Sequence, residues 1–127
     1  MILVDTSVWA DHFRNEIAVL NKELGIGAVA IHPFVIGELA CGTLAQRAQT
    51  LSDLRHLPHV VRASDEEALT LIERHTLMGR GVGLVDVHIL ASTLLTPETR
   101  LWTHDKRLAR IAGELLVAYQ PTSPEDA

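Results

Sequence analysis

Short apolar runs alternate along the chain with longer stretches that repeat apolar residues at helical spacing. The short runs lack polar alternation, which favours strands buried on both faces of a parallel sheet. Five such runs are found, at residues 2–4, 28–31, 60–61, 101–103 and 115–118. Because strands and helices alternate, the pattern predicts an α/β fold in which helices cover both faces of a parallel sheet.

Two of the predicted helices are apolar nearly all round, which indicates that they are buried. They cover residues 34–41 and 84–92, and each is interrupted by one acid, Glu38 in the first and Asp86 in the second. A charged side chain on a buried helix is costly unless it is paired, protonated or bound to a metal. Glu38 and Asp86 are therefore candidate functional residues.

Two further acids follow predicted strands. Asp5 ends the first apolar run, and Asp105 comes one histidine after the run at residues 101–103. In open α/β sheets, ligands bind at the carboxyl ends of the strands. Taken alone, Asp5 is explained more simply as a helix cap, and Thr6 and Ser7 could cap the same helix. The recurrence of acids in similar surroundings favours the functional interpretation.

The composition indicates one folded domain. Of the 127 residues, 47% are hydrophobic, and we assign residues 1–119 to the domain and 120–127 to a polar tail expected to be disordered. The single cysteine, Cys41, excludes an intrachain disulfide and fits a reducing cytosol, so a cytoplasmic location is expected. No apolar run approaches transmembrane length. The formal charge of −5 means that nucleic acid would have to be met by a local basic patch or a metal.

The four acids could converge on one cleft if the first and fourth predicted strands are neighbours. Two carboxylates about 5 Å apart repel by roughly 3 kcal/mol at an effective dielectric near 20, so such a cluster needs protons or cations. Carboxylate oxygens suit Mg²⁺ or Mn²⁺ better than Zn²⁺. Sites of this kind most often act on phosphates, because the metal activates a water and neutralises charge on the phosphoryl oxygens.

Four segments around these acids resemble the sequence blocks of PIN-domain ribonucleases, and most closely those of the VapC toxins of bacterial toxin–antitoxin pairs. They read DTSVW at residues 5–9, HPFVIGEL at 32–39, GLVDVHILAS at 83–92 and LWTHDKRL at 101–108. The resemblance extends from residue 1 to about residue 119. It implies a PIN-like three-layer α/β/α sandwich with a central parallel five-strand sheet.

The resemblance also implies an activity, that of an endoribonuclease dependent on Mg²⁺ or Mn²⁺, in which a metal-activated water attacks the phosphodiester in line. Carried over residue by residue, the catalytic and metal-binding acids are Asp5, Glu38, Asp86 and Asp105. Beside them, Thr6, Ser7 and Thr103 are expected to hydrogen-bond to the acids.

Some relatives carry a further acid directly after the last one, where this chain has Lys106 and Arg107. A second metal ion would therefore need substrate phosphate as a ligand. The same two basic residues, together with Arg110 and His104, are candidates for contacts with the RNA backbone.

The implied partners are an RNA substrate, a cognate VapB-like DNA-binding antitoxin and a second copy of the chain. Trp9, Phe13, Val35 and Ile36 give the early helices more apolar surface than one sheet face needs, which predicts a homodimer interface. The expected mode of inhibition is an amphipathic antitoxin helix that places an Arg or Lys among the four acids and competes with the metal.

Three alternatives were compared with this hypothesis. An Asp-dependent phosphatase of the haloacid dehalogenase type needs a second Asp where this chain has Ser7. A receiver domain needs adjacent acids before Asp5, where the chain has Leu3 and Val4. A non-catalytic PIN-like adaptor is the alternative outside the enzymes, and a decayed site of that kind would be expected to lose its costly charges.

Overall fold

The protein is described by a computed structural model over residues 1–121, and residues 122–127 of the predicted tail lie outside the described residues. Its strands are β1 (Ile2–Val4), β2 (Val29–Ala30) and β3 (Arg100–Trp102). Its helices are α1 (Thr6–Arg14), α2 (Ala18–Gly25), α3 (Pro33–Ala40), α4 (Arg47–Arg55), α5 (Asp65–His75), α6 (Leu84–Leu95) and α7 (Lys106–Glu114). No helix within this range is both long and apolar enough to cross a bilayer.

The three strands form a parallel sheet in the order β2-β1-β3. All residues of β1 and β2 are buried, as the unbroken apolar runs predicted. β2 pairs with one edge of β1, and β3, which comes later in the chain, pairs with the other edge. The strand order therefore reverses at the carboxyl end of β1, where open α/β folds place their ligand sites.

The parallel α/β fold predicted from the sequence is confirmed, but two of the five predicted strands are reduced to single parallel bridges. Ile31 pairs with His59, and Leu101 pairs with Ala118, one at each edge of the sheet. The first ladder ends because the Val61 N–H donates to the Thr96 side chain, at 2.9 Å, instead of to a strand. The second cannot start earlier because Leu116 has a left-handed backbone with φ of 62°.

The two apolar helices differ in their burial. α6 is buried continuously from Val87 to Thr93, as predicted. α3 was expected to be buried all round, but Gly37 and Glu38 are exposed on it and only Val35 and Leu39 are fully buried. Glu38 is thus an acid at an open surface and not a buried charge.

The surface predicted for a dimer interface is also smaller than expected. Trp9 and Val35 belong to the hydrophobic core of the single chain. Phe13 is 43% exposed, and Ile36 is half-buried. The homodimer stays a prediction, and of the four residues proposed for it only these last two offer apolar surface.

The central strand is expected to carry much of the fold's stability. Leu3 on β1 is fully buried with 0% exposure, so Leu3→Ala should lower the free energy of unfolding by about 2–5 kcal/mol in urea denaturation. Ile26 is 69% exposed, so Ile26→Ala should change it by less than about 0.5 kcal/mol. Equal effects of the two substitutions would contradict the placement of β1 at the centre of the core.

Candidate active site

Asp5 lies at the N-cap position of α1, directly after β1, and is only 5% exposed. Its carboxylate makes no capping hydrogen bond to the helix backbone. Instead, Oδ2 accepts hydrogen bonds from Ser7 Oγ at 3.0 Å and from Thr103 Oγ1 at 2.7 Å. The helix-cap explanation therefore does not account for this side chain, which is held in place by hydroxyl groups from α1 and from the end of β3.

Thr6 and Ser7 do not cap the helix either, because both lie inside α1. The Thr6 hydroxyl donates to Glu38 Oε1 at 2.6 Å, across the contact between α1 and α3. Consecutive hydroxyl residues thus contact two different acids, Ser7 on the side of Asp5 and Thr6 on the side of Glu38.

Asp86 lies in the first turn of α6 and is half-buried. Burial raises its pKa, and so do the negative charges of Asp5, Asp105 and Glu38, while a hydrogen bond from the Gly83 N–H acts in the opposite direction. The other three predicted acids therefore all lie within electrostatic reach of Asp86. We call the site formed by Asp5, Glu38, Asp86 and Asp105 the acid cleft.

Asp105 has a structural task in addition to its place in the acid cleft. It is the N-cap of α7, and its Oδ1 accepts hydrogen bonds from the backbone N–H groups of Arg107 and Leu108 at 2.9 and 3.2 Å. Its Oδ2 has no hydrogen-bond partner among residues 1–121. The helix cap fixes the orientation of the carboxylate.

The chemistry of the acid cleft fits Mg²⁺ or Mn²⁺, which prefer carboxylate oxygens. Within residues 1–121, however, no three His, Cys, Asp or Glu side chains stand close enough together to hold one ion between them. Mg²⁺ commonly binds through one or two carboxylates and keeps several of its waters, so it does not require three protein ligands. The set of four metal-binding acids stays a prediction.

The basic residues predicted to contact RNA fall into two groups. Lys106, Arg107 and Arg110 are exposed on α7. The side chain of Arg107 packs against Gly81, where a Cβ would stand 2.6 Å from Arg107 Cδ. The φ of Gly81 is +83°, so this loop requires glycine. His104 differs, because its Nδ1 is 2.5 Å from Asp11 Oδ2 and its ring is not free to contact a phosphate.

Sequence reasoning assigned no role to Asp11 or to the capping function of His32. Asp11 lies one helical turn after Ser7, and this spacing was the available signal. His32 is fully buried, and its Nδ1 accepts from the Phe34 N–H at the start of α3. Burial, with smaller effects from Arg62 and neighbouring histidines, lowers the pKa of His32 to about 4, so the ring that caps this helix is neutral at pH 7.

A groove of about 720 Å³ opens beside the acid cleft, between α1, α3 and the start of α4. Apolar side chains cover much of it, and Thr6 and Glu38 lie at the end nearest the acid cleft. Its principal apolar residues are Ala10, Phe13, Leu39 and Leu44. The groove is therefore an apolar surface that borders a concentration of negative charge.

The fold agrees with comparisons to known proteins. Residues 2–114 match the family model of the PIN domain, and the chain belongs to the PIN-domain family. It is 45% identical over 118 residues to Ribonuclease VapC32 of Mycobacterium tuberculosis, in both strain CDC 1551 / Oshkosh and strain ATCC 25618 / H37Rv. The match covers 93% of this chain and 95% of the relative. The resemblance to VapC proteins is thus confirmed, and the phosphatase and receiver alternatives are set aside.

Repulsion in the acid cleft should be measurable as a loss of stability. Because the pKa of Asp86 is raised in the folded state, its contribution to stability is present at low pH and is lost as pH rises through that pKa. Asp86→Asn removes the charge, and the amide oxygen can still accept from Gly83. In EDTA at pH 7, the variant should be more stable by about 0.5–2 kcal/mol in urea denaturation.

The gain from Asp86→Asn should shrink as pH falls from 7 through the raised pKa and vanish below about 4, where the carboxyl is protonated in the folded and the unfolded chain alike. Glu73 is an exposed acid on α5, so Glu73→Gln is the matched control and should change stability by less than about 0.5 kcal/mol. A loss of stability in Asp86→Asn at pH 7 would contradict the electrostatic account.

Proposed function

We propose that this protein is a divalent-metal-dependent endoribonuclease that acts as the toxin of a toxin–antitoxin pair in the cytoplasm. The observation that carries the proposal is the acid cleft at the switch point of a PIN-domain sheet, where burial and the charges of three other carboxylates raise the pKa of Asp86. The likeness to a protein named as a ribonuclease supports the choice of substrate.

In this proposal the chain's own residues prepare the site before any substrate arrives. The hydroxyls of Ser7 and Thr103 hold the Asp5 carboxylate, and the α7 backbone holds Asp105. Asp5, Glu38, Asp86 and Asp105 would bind Mg²⁺ or Mn²⁺. A bound ion of this kind supplies a nucleophilic water at neutral pH and neutralises charge on the phosphoryl oxygens.

Substrate RNA would be held by local positive charge, because the chain as a whole is acidic. Lys106, Arg107 and Arg110 lie on α7, whose first residue follows Asp105 directly. Contacts from these residues to phosphate would set the position of the RNA without reading its sequence. The specificity for one RNA would then come from other surfaces.

Asp5→Asn should reduce metal-dependent RNA cleavage by more than about 100-fold, because loss of one charge from a metal site costs at least as much as loss of a supporting hydrogen bond. The amide oxygen can still accept from Ser7 and Thr103, so the fold should be retained. The measurement is cleavage of a mixed cellular RNA substrate with Mg²⁺ or Mn²⁺, with an EDTA control and with thermal unfolding of each protein.

Asp53→Asn is the matched acid-to-amide control, since Asp53 lies on α4 and, among residues 1–121, its side chain hydrogen-bonds only to Gln49 of the same helix. It should cut RNA at the wild-type rate. Cleavage by Asp5→Asn at a near wild-type rate would exclude the acid cleft as the active centre. A wild-type protein that cuts no RNA, with or without Mg²⁺ or Mn²⁺, would favour the adaptor alternative.

The groove supports the predicted mode of inhibition. Its apolar lining suits the apolar face of an antitoxin helix, and its end at Glu38 suits an Arg or Lys directed into the acid cleft. We infer that such a cation takes the place of part of the metal's charge. Inhibitor and metal would then weaken each other's binding by the same factor.

The complex of this protein with its antitoxin, prepared by expressing the neighbouring reading frame, allows a direct test. Titration with Mn²⁺ at constant ionic strength should weaken the antitoxin affinity by about 10-fold or more, a coupling of at least about 1.4 kcal/mol. The measurement is the dissociation constant by fluorescence anisotropy, with NaCl as the ionic-strength control. An affinity independent of Mn²⁺ would mean that inhibition blocks RNA access elsewhere.

A homodimer remains part of the proposal. Phe13 at 43% exposure also lines the groove, so the same surface could be covered by a partner copy or by the antitoxin. We assign it to the antitoxin, because the groove borders the acid cleft.

A further inference from the structure

The short connection between β3 and α7 is held against α1 by Thr103, through its hydroxyl, and by His104, through both its backbone and its side chain. The backbone N–H of His104 donates to Ser7 Oγ at 3.0 Å, and its side-chain Nδ1 lies 2.5 Å from Asp11 Oδ2. Since a carboxylate only accepts hydrogen bonds, Nδ1 carries the proton. Both contacts join residues more than ninety positions apart in the chain, with separations of 97 and 93.

The two anchors on α1 share one face of the helix. Ser7 and Asp11 are four residues apart and so lie one above the other, which lets one contact the backbone and the other the ring of His104. The contact is not a loose surface pair, because the ring is largely buried and packs edge-on against Trp102 with centroids 6.2 Å apart. Arg14 also pairs with Asp11, from the exposed side.

His104 lies between Thr103, which contacts an acid of the cleft, and Asp105, which belongs to the cleft. On one side, Thr103 donates to the Asp5 carboxylate, and on the other, Asp105 caps α7. Displacement of His104 would therefore change the separation of Asp5 and Asp105, which follow different strands and have no direct hydrogen bond to each other among the described residues. The Thr103 hydroxyl links them, because it donates to Asp5 Oδ2 at 2.7 Å and accepts from the Asp105 N–H at 3.1 Å, and the contacts of His104 attach the same connection to α1.

We propose that Asp11 and His104 form a clasp that sets the distance between the Asp5 and Asp105 carboxylates and thereby the affinity of the acid cleft for a divalent ion. The clasp positions the site and does not contact the reacting atoms. The inference rests on the proposed function, because it concerns how that site is assembled. It also explains why a histidine next to an acid of the cleft is turned away from the cleft and towards α1.

The hydrogen bond from His104 lowers the pKa of Asp11, with a smaller contribution from Arg14, and burial opposes this. Asp11 is therefore ionised at neutral pH, and a charge-assisted hydrogen bond of this kind is stronger than a neutral one. The clasp is thus formed at neutral pH.

Mn²⁺ binding to the isolated protein tests the clasp without any RNA. Asp11→Leu removes the acceptor and keeps the branched shape of the side chain, and it should weaken Mn²⁺ binding about 10-fold, the effect typical of a lost supporting hydrogen bond. His104→Leu should give the same loss, and the double variant should lose no more than either single variant, because the two residues act as one unit. Free Mn²⁺ is measured by electron paramagnetic resonance at pH 7.5 and fixed ionic strength.

Two conservative variants separate positioning from stability. Asp11→Asn keeps an acceptor for Nδ1, so it should bind Mn²⁺ within about threefold of the wild type. Arg14→Ala removes the other partner of Asp11 and leaves the clasp in place, so its Mn²⁺ affinity should also stay within about threefold. Thermal unfolding of all variants is followed in parallel. The side chain of Asp11 is 40% exposed, so its variants should fold, and His104→Leu carries the comparison if Asp11→Leu does not.

A lowered melting temperature with unchanged Mn²⁺ affinity in Asp11→Leu would show that the pair only stabilises the fold, and would overturn the proposal. Additive losses in the double variant would overturn it as well. RNA cleavage by the wild type distinguishes this failure from failure of the proposed function. If the wild type cuts RNA and Asp11→Leu binds Mn²⁺ normally, the clasp proposal alone is wrong. If the wild type neither binds Mn²⁺ nor cuts RNA, the clasp proposal and the proposed function are both wrong.

Discussion

Mutual repulsion among four carboxylates is the constraint on which the rest of the site depends. A small domain is stable by only about 5–15 kcal/mol, so it cannot hold several like charges together without opposing contacts. The structure supplies these contacts as hydrogen bonds to hydroxyl and backbone donors. Ser7 and Thr103 bind Asp5, Thr6 binds Glu38, and the first turn of α7 binds Asp105. The donors come from α1, from the end of β3 and from the first turn of α7, which the parallel sheet brings together.

The acids nevertheless differ in what their surroundings provide. Asp86 has burial and three neighbouring charges against one hydrogen bond from the Gly83 N–H. It is therefore the acid for which a bound cation would bring the largest relief. Binding of a divalent ion would stabilise the folded chain as well as prepare it for chemistry, since a ligand that binds only the native state always does so. Without a cation, repulsion among the four carboxylates lowers the free energy of unfolding. With a bound cation, the same carboxylates would raise it.

The sequence was sufficient to predict what local patterns encode. Unbroken apolar runs predicted the buried strands, and the apolar residues around Asp86 predicted that this acid lies on a buried helix. Exposure of Glu38 was missed, because a helix that is apolar all round does not reveal which of its faces lies against the sheet. The edge strands were overpredicted, because the Thr96 side chain takes the N–H of Val61, and no local pattern indicates this. The contact between His104 and Asp11 joins positions 93 residues apart, so only the assembled sheet brings it about.

The long separation of the paired strands also determines when activity can first appear during synthesis. β1 leaves the ribosome early, but its neighbour β3 follows only near the end of the domain. The hydroxyl of Thr103 comes 98 residues after Asp5. At about 5–20 residues per second, the first acid waits roughly 5–20 seconds for the last one. Pairing between such distant segments is also slow to form, because the entropy of closing the loop is lost before the contact is gained. A nascent chain therefore carries its first acid without a complete acid cleft until almost the whole domain has emerged.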